Sequence, residues 1–171
     1  MLPATKAIPK ELLPIIDKPI IQYIVEEAIF AGINEIIFIT RSGKEAIENH
    51  FDSNYELEHR LKSKKEKKIL KSLKGVIPKN VKISSIRQED AFGLGHAISC
   101  AEHLLKKEPF AVLLPDEYLL PNKNFHDLQR MVKDFNSSSS GQILLEKIGP
   151  DEVSNFGIVN MKSKSKSQDD K

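Results

Sequence analysis

The chain has 171 residues, 29% of them charged, a formal net charge of +2 and a single cysteine, Cys100. That length sets one domain as the expectation. The near-balance of charge argues against a dedicated nucleic-acid binder, and a lone cysteine excludes an intramolecular disulfide and suits a reducing cytoplasm. Apolar runs such as Ile36-Ile37-Phe38-Ile39 are far too short to span a bilayer, the amino terminus carries no secretory pattern, and no internal repeat is present.

In the opening stretch Leu2 to Pro19, prolines at 3, 9, 14 and 19 alternate with Lys6, Lys10, Lys18 and short apolar pairs. Each proline removes a backbone donor and biases the residue before it toward extended geometry, which predicts an ordered loop rather than a helix or strand. A loop of this kind, bearing cations at the start of an α/β pattern, suits an anionic ligand. Pro19 fits the first turn of a helix. Ile20, Ile21, Ile24, Val25 and Ala28 then recur at helical spacing, and Gly32 supplies a stop.

Glu35 to Thr40 reads as a buried strand, because its apolar, largely β-branched run is nearly continuous. A short helix is predicted from about Lys44 to Phe51 and a longer amphipathic one from Tyr55 to Lys74, with Leu57, Leu61, Ile69, Leu70 and Leu73 on its apolar side. The lysine run from Lys62 to Lys68 reads as a solvated face, with a phosphate-attracting or partner-binding surface as the alternative.

Further along, Val81 to Ile86 reads as a strand, Gly95 to Leu105 as a helix, and Phe110 to Leu114 as a strand. Asn124 to Phe135 fits a helix that exits into the loop Ser137 to Gly141; Gln142 to Glu146 and Gly157 to Met161 read as strands. From Lys162 to Lys171 only Lys, Ser, Gln and Asp remain, so a polar disordered tail over 162–171 is expected to follow a domain over 1–161. Strands alternating with helices imply an α/β fold, a mostly parallel sheet covered by helices on both faces. Ligands of such sheets bind at the carboxyl ends of the strands.

Several chemistry-bearing residues fall just after predicted strands. Lys10 and Glu11 share the proline-bounded loop and could simply form a solvated ion pair. Gln88 ends a strand and precedes Gly93-Leu94-Gly95; its amide offers both a donor and an acceptor, as the edge of a uracil requires, and glycines let backbone approach a planar base. Asp116 follows Phe110 to Leu114, where a carboxylate either caps a turn or supplies a hard oxygen ligand to a cation. His96 reads as a helix-start residue that satisfies local hydrogen bonds, and with Cys100 it lacks the partners of a zinc site.

A series of motifs occurs in order: Leu2 to Pro19, Gln22-Tyr23, Glu48-Asn49-His50-Phe51-Asp52, Arg87-Gln88, Gly93-Leu94-Gly95-His96-Ala97, Leu114-Pro115-Asp116 and Phe156-Gly157-Ile158-Val159. Together they resemble the bacterial UTP–glucose-1-phosphate uridylyltransferases, a branch of the sugar-nucleotidyltransferase superfamily, over most of the chain. The resemblance implies a Rossmann-like nucleotidyltransferase fold and Mg²⁺-dependent transfer of UMP from UTP to glucose 1-phosphate, giving UDP-glucose and pyrophosphate. It implies a cytoplasmic enzyme, in a family that is typically homo-oligomeric, with no nucleic-acid or membrane partner.

By the same resemblance Lys10 lies near the phosphates as the catalytic cation, and Glu11 lies beside the nucleotide. Gln88 and Gly93 hold the uracil, Asp116 binds Mg²⁺ with Glu117 a weaker candidate, and Gly157 lies against the glucosyl unit. The pair Glu89-Asp90 departs mildly from the family, whose loop there is usually basic or neutral.

Relative to the family, a first strand with its glycine-rich phosphate loop is expected to precede the residue matching Met1, and a Glu-Lys-Pro motif and a second metal-binding aspartate to follow Gly157. The alternative function is therefore an inactive fragment, or a paralogue that binds a nucleotide or a partner without catalysis. A sister enzyme for another base or sugar is a third reading. Without the central strand two neighbouring edges are exposed, and self-association is expected.

Overall fold

The computed structural model describes residues 3–118 and 126–160. The chain divides into two units, Met1–Ser139 and Ser140–Lys171. The expected tail at 162–171 lies outside the described residues.

In the first unit the proline-rich opening forms short 3₁₀ turns at Ala4–Lys6 and Lys10–Leu12. A small antiparallel hairpin follows, β1 (Pro14–Ile15) and β2 (Lys18–Pro19). Its turn places Ile16 at φ 63° with the side chain 95% exposed. A β-branched residue in the left-handed region is strained. Ile16→Asn is therefore expected to stabilise the fold by about 1 kcal/mol, read from urea denaturation, since asparagine tolerates that conformation and no burial is lost.

The helix expected after Pro19 is α1 (Ile20–Phe30), with Pro19 as its extended cap and Gly32 just beyond its end at φ 91°. The expected strand is β3 (Glu35–Thr40), followed by α2 (Glu45–Phe51). The expected single helix from Tyr55 to Lys74 is instead two, α3 (Tyr55–Ser63) and α4 (Lys67–Lys74). Lys65 stands at φ 59°, outside helical geometry, and the Ser63 hydroxyl donates to the carbonyls of His59 and Arg60. Crowded like charges over Lys62–Lys68 disfavour a continuous helix there. The two helices fold back on each other, with Lys74 and Glu58 paired at 2.8 Å.

The next strand is β4 (Lys82–Arg87), one residue later than expected, and it pairs in parallel with β3 from Glu35↔Lys82 to Thr40↔Arg87. The expected helix from Gly95 to Leu105 is broken at Ala101 into α5 (Leu94–Cys100) and α6 (Glu102–Leu105). The last helix of this unit is α7 (Asp127–Ser138). Ile21 and Val25 of α1, Phe38 of β3 and Ile47 of α2 form the core, with Ile83 of β4 packed against it.

Three expected strands are not formed. Phe110 to Leu114 makes no ladder, and in the second unit neither do Gln142 to Glu146 nor the described part of Gly157 to Met161. Strand propensity creates a strand only where a neighbour completes the hydrogen bonds. Among the described residues Phe110 to Leu114 has no such neighbour, and Ile143 of the second unit is 77% exposed.

A chain of polar contacts that the sequence did not reveal ties the opening hairpin to two helices. His50 Nε2 donates to Gln22 Oε1 at 3.0 Å, Gln22 Nε2 donates to Glu26 Oε1 at 2.8 Å, and Lys18 Nζ donates to Glu26 Oε2 at 2.8 Å. Gln22 is buried, and burial holds the His50 pKa below its ordinary value of 6.5. The unfolded chain then takes up a proton at His50 at higher pH than the folded one. Stability is full above about pH 6.5 and falls as the pH drops through that value toward the folded pKa. Tm is expected to decline between pH 7.5 and 5.5, and His50→Gln, which keeps a donor, should flatten that decline.

Candidate functional site at the carboxyl rim of the parallel strands

Two clusters of the residues singled out in the sequence sit at the carboxyl ends of β3 and β4. The first begins where the Gln88 N–H donates to the Thr40 carbonyl at 2.8 Å, which puts Gln88 directly past the end of the ladder. Its side-chain Nε2 donates to the Gly93 carbonyl at 3.3 Å and to His96 Nδ1 at 2.9 Å, which leaves the imidazole proton on Nε2. Gly93, at φ 88° and ψ −176°, occupies a region open essentially to glycine alone. Gly93→Ala is expected to cost about 1–3 kcal/mol, measured by denaturant unfolding. His96 holds Gln88 in place, and Phe92 packs edge-on against its ring.

The second cluster is a small charge network. Lys10, in the opening 3₁₀ turn, reaches Asp116 Oδ2 at 2.5 Å across the rim. This hydrogen bond, helped by the Lys10 and Lys44 charges, holds the Asp116 carboxyl below its ordinary range. Both partners are well exposed, so the pair adds only about 0–1 kcal/mol of stability.

Next to it Glu11 is only 5% exposed and pairs through Oε1 with Lys44, the residue preceding α2. The other carboxylate oxygen, Oε2, is buried with no hydrogen-bond partner among the described residues. A buried unsatisfied acceptor is costly, and it is a natural point for a donor from a ligand. Nothing in the sequence around Ser42-Gly43-Lys44 marked Lys44 as part of a site.

A cavity of about 410 Å³ is lined by Glu11, Thr40, Lys44, Leu94 and Pro115 among others, but not by Lys10, Gln88, Gly93 or Asp116. Lys10, Glu11 and Asp116 are brought together, as are Gln88 and Gly93, at the same end of the parallel pair. A smaller cavity of about 200 Å³ beside Tyr23, Tyr118 and His126 is lined by none of the residues predicted for the site. Gly157 belongs to the second unit. The Glu117 side chain is exposed, and its N–H closes a turn onto the Leu114 carbonyl at 3.1 Å. Among the described residues no three His, Cys, Asp or Glu side chains gather as a metal cluster.

A parallel pair flanked by helices, with cations, carboxylates and an amide–glycine pair at its carboxyl rim, puts these groups where open α/β sheets bind their ligands. Residues 1–169 match the family model for nucleotidyl transferases, and the chain belongs to that family. Within the family it is 47% identical to UTP–glucose-1-phosphate uridylyltransferase of Haemophilus ducreyi, over 94% of this chain and 55% of the relative. It is 44% identical to the enzyme of the same name from Escherichia coli, over 95% of this chain and 54% of the relative.

Among solved structures, UDP-glucose pyrophosphorylase from Acinetobacter baumannii superposes with a TM-score of 0.88 at 42% identity, covering 96% of this chain and 58% of that one. A UDP-glucose pyrophosphorylase complexed with UDP-glucose gives a TM-score of 0.81 at 35% identity, covering 96% and 59%. The expected Rossmann-like α/β nucleotidyltransferase fold is the fold of this chain. The chain spans a little over half the length of the curated relatives it matches. Among the described residues no helix is long and apolar enough to cross a membrane.

Proposed function

We propose that the chain carries the nucleotide-binding rim of a UTP–glucose-1-phosphate uridylyltransferase, which transfers UMP from UTP to glucose 1-phosphate and releases pyrophosphate. The observation that supports this reading is the Lys10–Asp116 pair next to Glu11 and, separately, the Gln88–Gly93 contact directly past the end of the parallel ladder. The similarity to uridylyltransferases, and to structures described as UTP-bound and as complexed with UDP-glucose, supports the choice of substrates.

In this reading the Gln88 amide exchanges its contact with the Gly93 carbonyl for the uracil edge, where it can both donate and accept, and Gly93 lets the base lie flat against backbone. Lys10 exchanges its contact with Asp116 for a phosphate oxygen and stabilises the negative charge that grows on the transferred phosphoryl group. Glu11 accepts from the nucleotide through its unpartnered oxygen, and Gly157 lies against the sugar. Transfer is in line, with the sugar phosphate oxygen attacking the α-phosphorus and pyrophosphate leaving, so positioning and charge neutralisation carry the rate.

A single exposed carboxylate fits Mg²⁺, which is commonly held by one or two carboxylates with water and substrate phosphates completing its shell. Asp116 would hold it, and the ion would neutralise triphosphate charge. We place the protein in the cytoplasm, in keeping with its one free cysteine, and assign it no nucleic-acid or membrane partner.

The test is pyrophosphate release from UTP, glucose 1-phosphate and MgCl₂, with UTP binding measured in parallel by calorimetry. Turnover above a buffer control is expected with glucose 1-phosphate. Folded protein that neither binds UTP nor turns it over would refute the reading. Binding without turnover would keep the nucleotide site and discard the catalysis.

A further inference from the structure

We propose that His96 is a positioning residue for base selection: its Nδ1 fixes the sense of the Gln88 amide, so that the rim takes uracil and turns cytosine away. This inference rests on the reading of Gln88 as the group that meets the base. A primary amide is nearly symmetric in shape but opposite in chemistry at its two ends, an acceptor oxygen and a donor nitrogen. Which end faces the base decides which edge it matches. Uracil presents a donor at N3 beside an acceptor at O4, whereas cytosine presents an acceptor at N3 beside a donor at N4. An amide turned one way suits the first edge, and the same amide turned over suits the second.

In this chain the amide is not free to turn over. Nε2 lies 3.3 Å from the Gly93 carbonyl and 2.9 Å from His96 Nδ1. A carbonyl can only accept, which assigns the nitrogen to that end of the amide, and the nitrogen in turn assigns Nδ1 as an acceptor. Turning the amide over would set Oε1 against two acceptors. Both partners are anchored. The Gln88 N–H donates to the Thr40 carbonyl at 2.8 Å. His96 lies in the first turn of α5, its carbonyl accepts from the Ser99 hydroxyl at 2.8 Å, and the Phe92 ring packs edge-on against its own at 5.2 Å.

The two acceptors play different parts when a base arrives. The Gly93 carbonyl also accepts from the Ala97 N–H at 3.1 Å, so it keeps a partner when the amide gives up its contact there. The shorter contact, to His96, remains. One N–H of Nε2 then stays on Nδ1, while Oε1 and the second N–H meet uracil N3–H and O4. For cytosine to bind equally well, the amide would have to turn its oxygen onto the Nδ1 lone pair.

The test is calorimetric titration of the chain with UTP and with CTP in MgCl₂, read as the ratio of the two affinities. Phosphate and metal contacts are common to both nucleotides and cancel in that ratio. The wild-type chain is expected to prefer UTP by about tenfold or more. His96→Asp, which offers only acceptors, should keep the preference although its charge weakens both nucleotides. His96→Lys, which offers only donors, should bring the ratio to about one or below. His96→Leu, which offers neither, should fall between them, and it decides if the lysine variant does not fold.

A residue that merely supported the loop would change both affinities alike in every variant. An unchanged ratio in folded His96→Lys or His96→Leu, with UTP still bound, overturns this inference and leaves the nucleotide reading standing. So does equal binding of UTP and CTP by the wild type, or loss of the preference in His96→Asp. A wild-type chain that binds neither nucleotide overturns both.

Discussion

Replacing Lys44 by methionine is expected to lower stability by about 3 kcal/mol, the low end of the cost of breaking a buried ion pair. Glu11 is 5% exposed, one of its oxygens already lacks a partner among the described residues, and Lys44 pairs with the other. Removing the ammonium strands a buried carboxylate, which costs far more than the pair itself contributes. For a chain of this size the change corresponds to a fall in Tm of roughly 6–12 °C. Glu11→Gln alone should cost less, because it removes the buried charge together with its need for a counter-ion. The double variant Lys44→Met with Glu11→Gln should recover most of the loss. A double-mutant cycle by urea denaturation measures the coupling, and additive effects would show that the pair is not the source.

Asp116→Asn is expected to remove Mg²⁺-dependent enhancement of UTP binding while leaving the weaker binding in EDTA nearly intact. If the chain turns over, the rate should fall about 10²-fold or more, close to 2.7 kcal/mol of lost transition-state stabilisation. Lys10→Met should behave differently, weakening UTP with and without the ion, because a phosphate contact is lost directly. It should also shift the acid side of metal binding. Lys10 holds the Asp116 pKa down, so the carboxylate stays charged as the pH falls until that depressed pKa is reached. Without Lys10 the carboxylate takes up its proton at higher pH, and metal-dependent binding should fade earlier on acidification. Calorimetric titration of UTP from about pH 7 down to about pH 3, with and without MgCl₂, reads both effects.

The sequence showed elements where a local pattern decides structure, and missed them where a partner does. Glu35 to Thr40 was legible because a continuous apolar run, largely β-branched, fits only a covered strand. The start of α1 was legible from Pro19, and its end from Gly32. Phe110 to Leu114 has the same strand-like composition, yet it forms no ladder, since pairing is a property of the neighbouring chain. The Tyr55–Lys74 pattern kept helical spacing through a break at Lys65, where accumulated positive charge and the Ser63 hydroxyl outweigh periodicity.

At the rim, Gln88 was reached because it directly follows a strand that does form, and Lys10 and Glu11 through the proline-bounded loop, whereas Asp116 was reached from an expected strand, Phe110 to Leu114, that makes no ladder. Lys44 was invisible, because its importance comes from a carboxylate 33 positions earlier in the chain. The buried link between Gln22 and His50 was hidden for the same reason, since neither residue belongs to a local pattern that announces the other.

The helical hairpin of α3 and α4 has a consequence for how the chain responds to proteolysis. None of its residues is buried, and Lys62, Lys64 and Lys65 crowd its exposed tip. Trypsin should nick the chain there before anywhere in the core. The cut separates β3 from β4, yet six register pairs and the packing of Ile83 still join them. The two pieces should elute together on a sizing column and part only in denaturant, so the protein can be severed in the middle without coming apart.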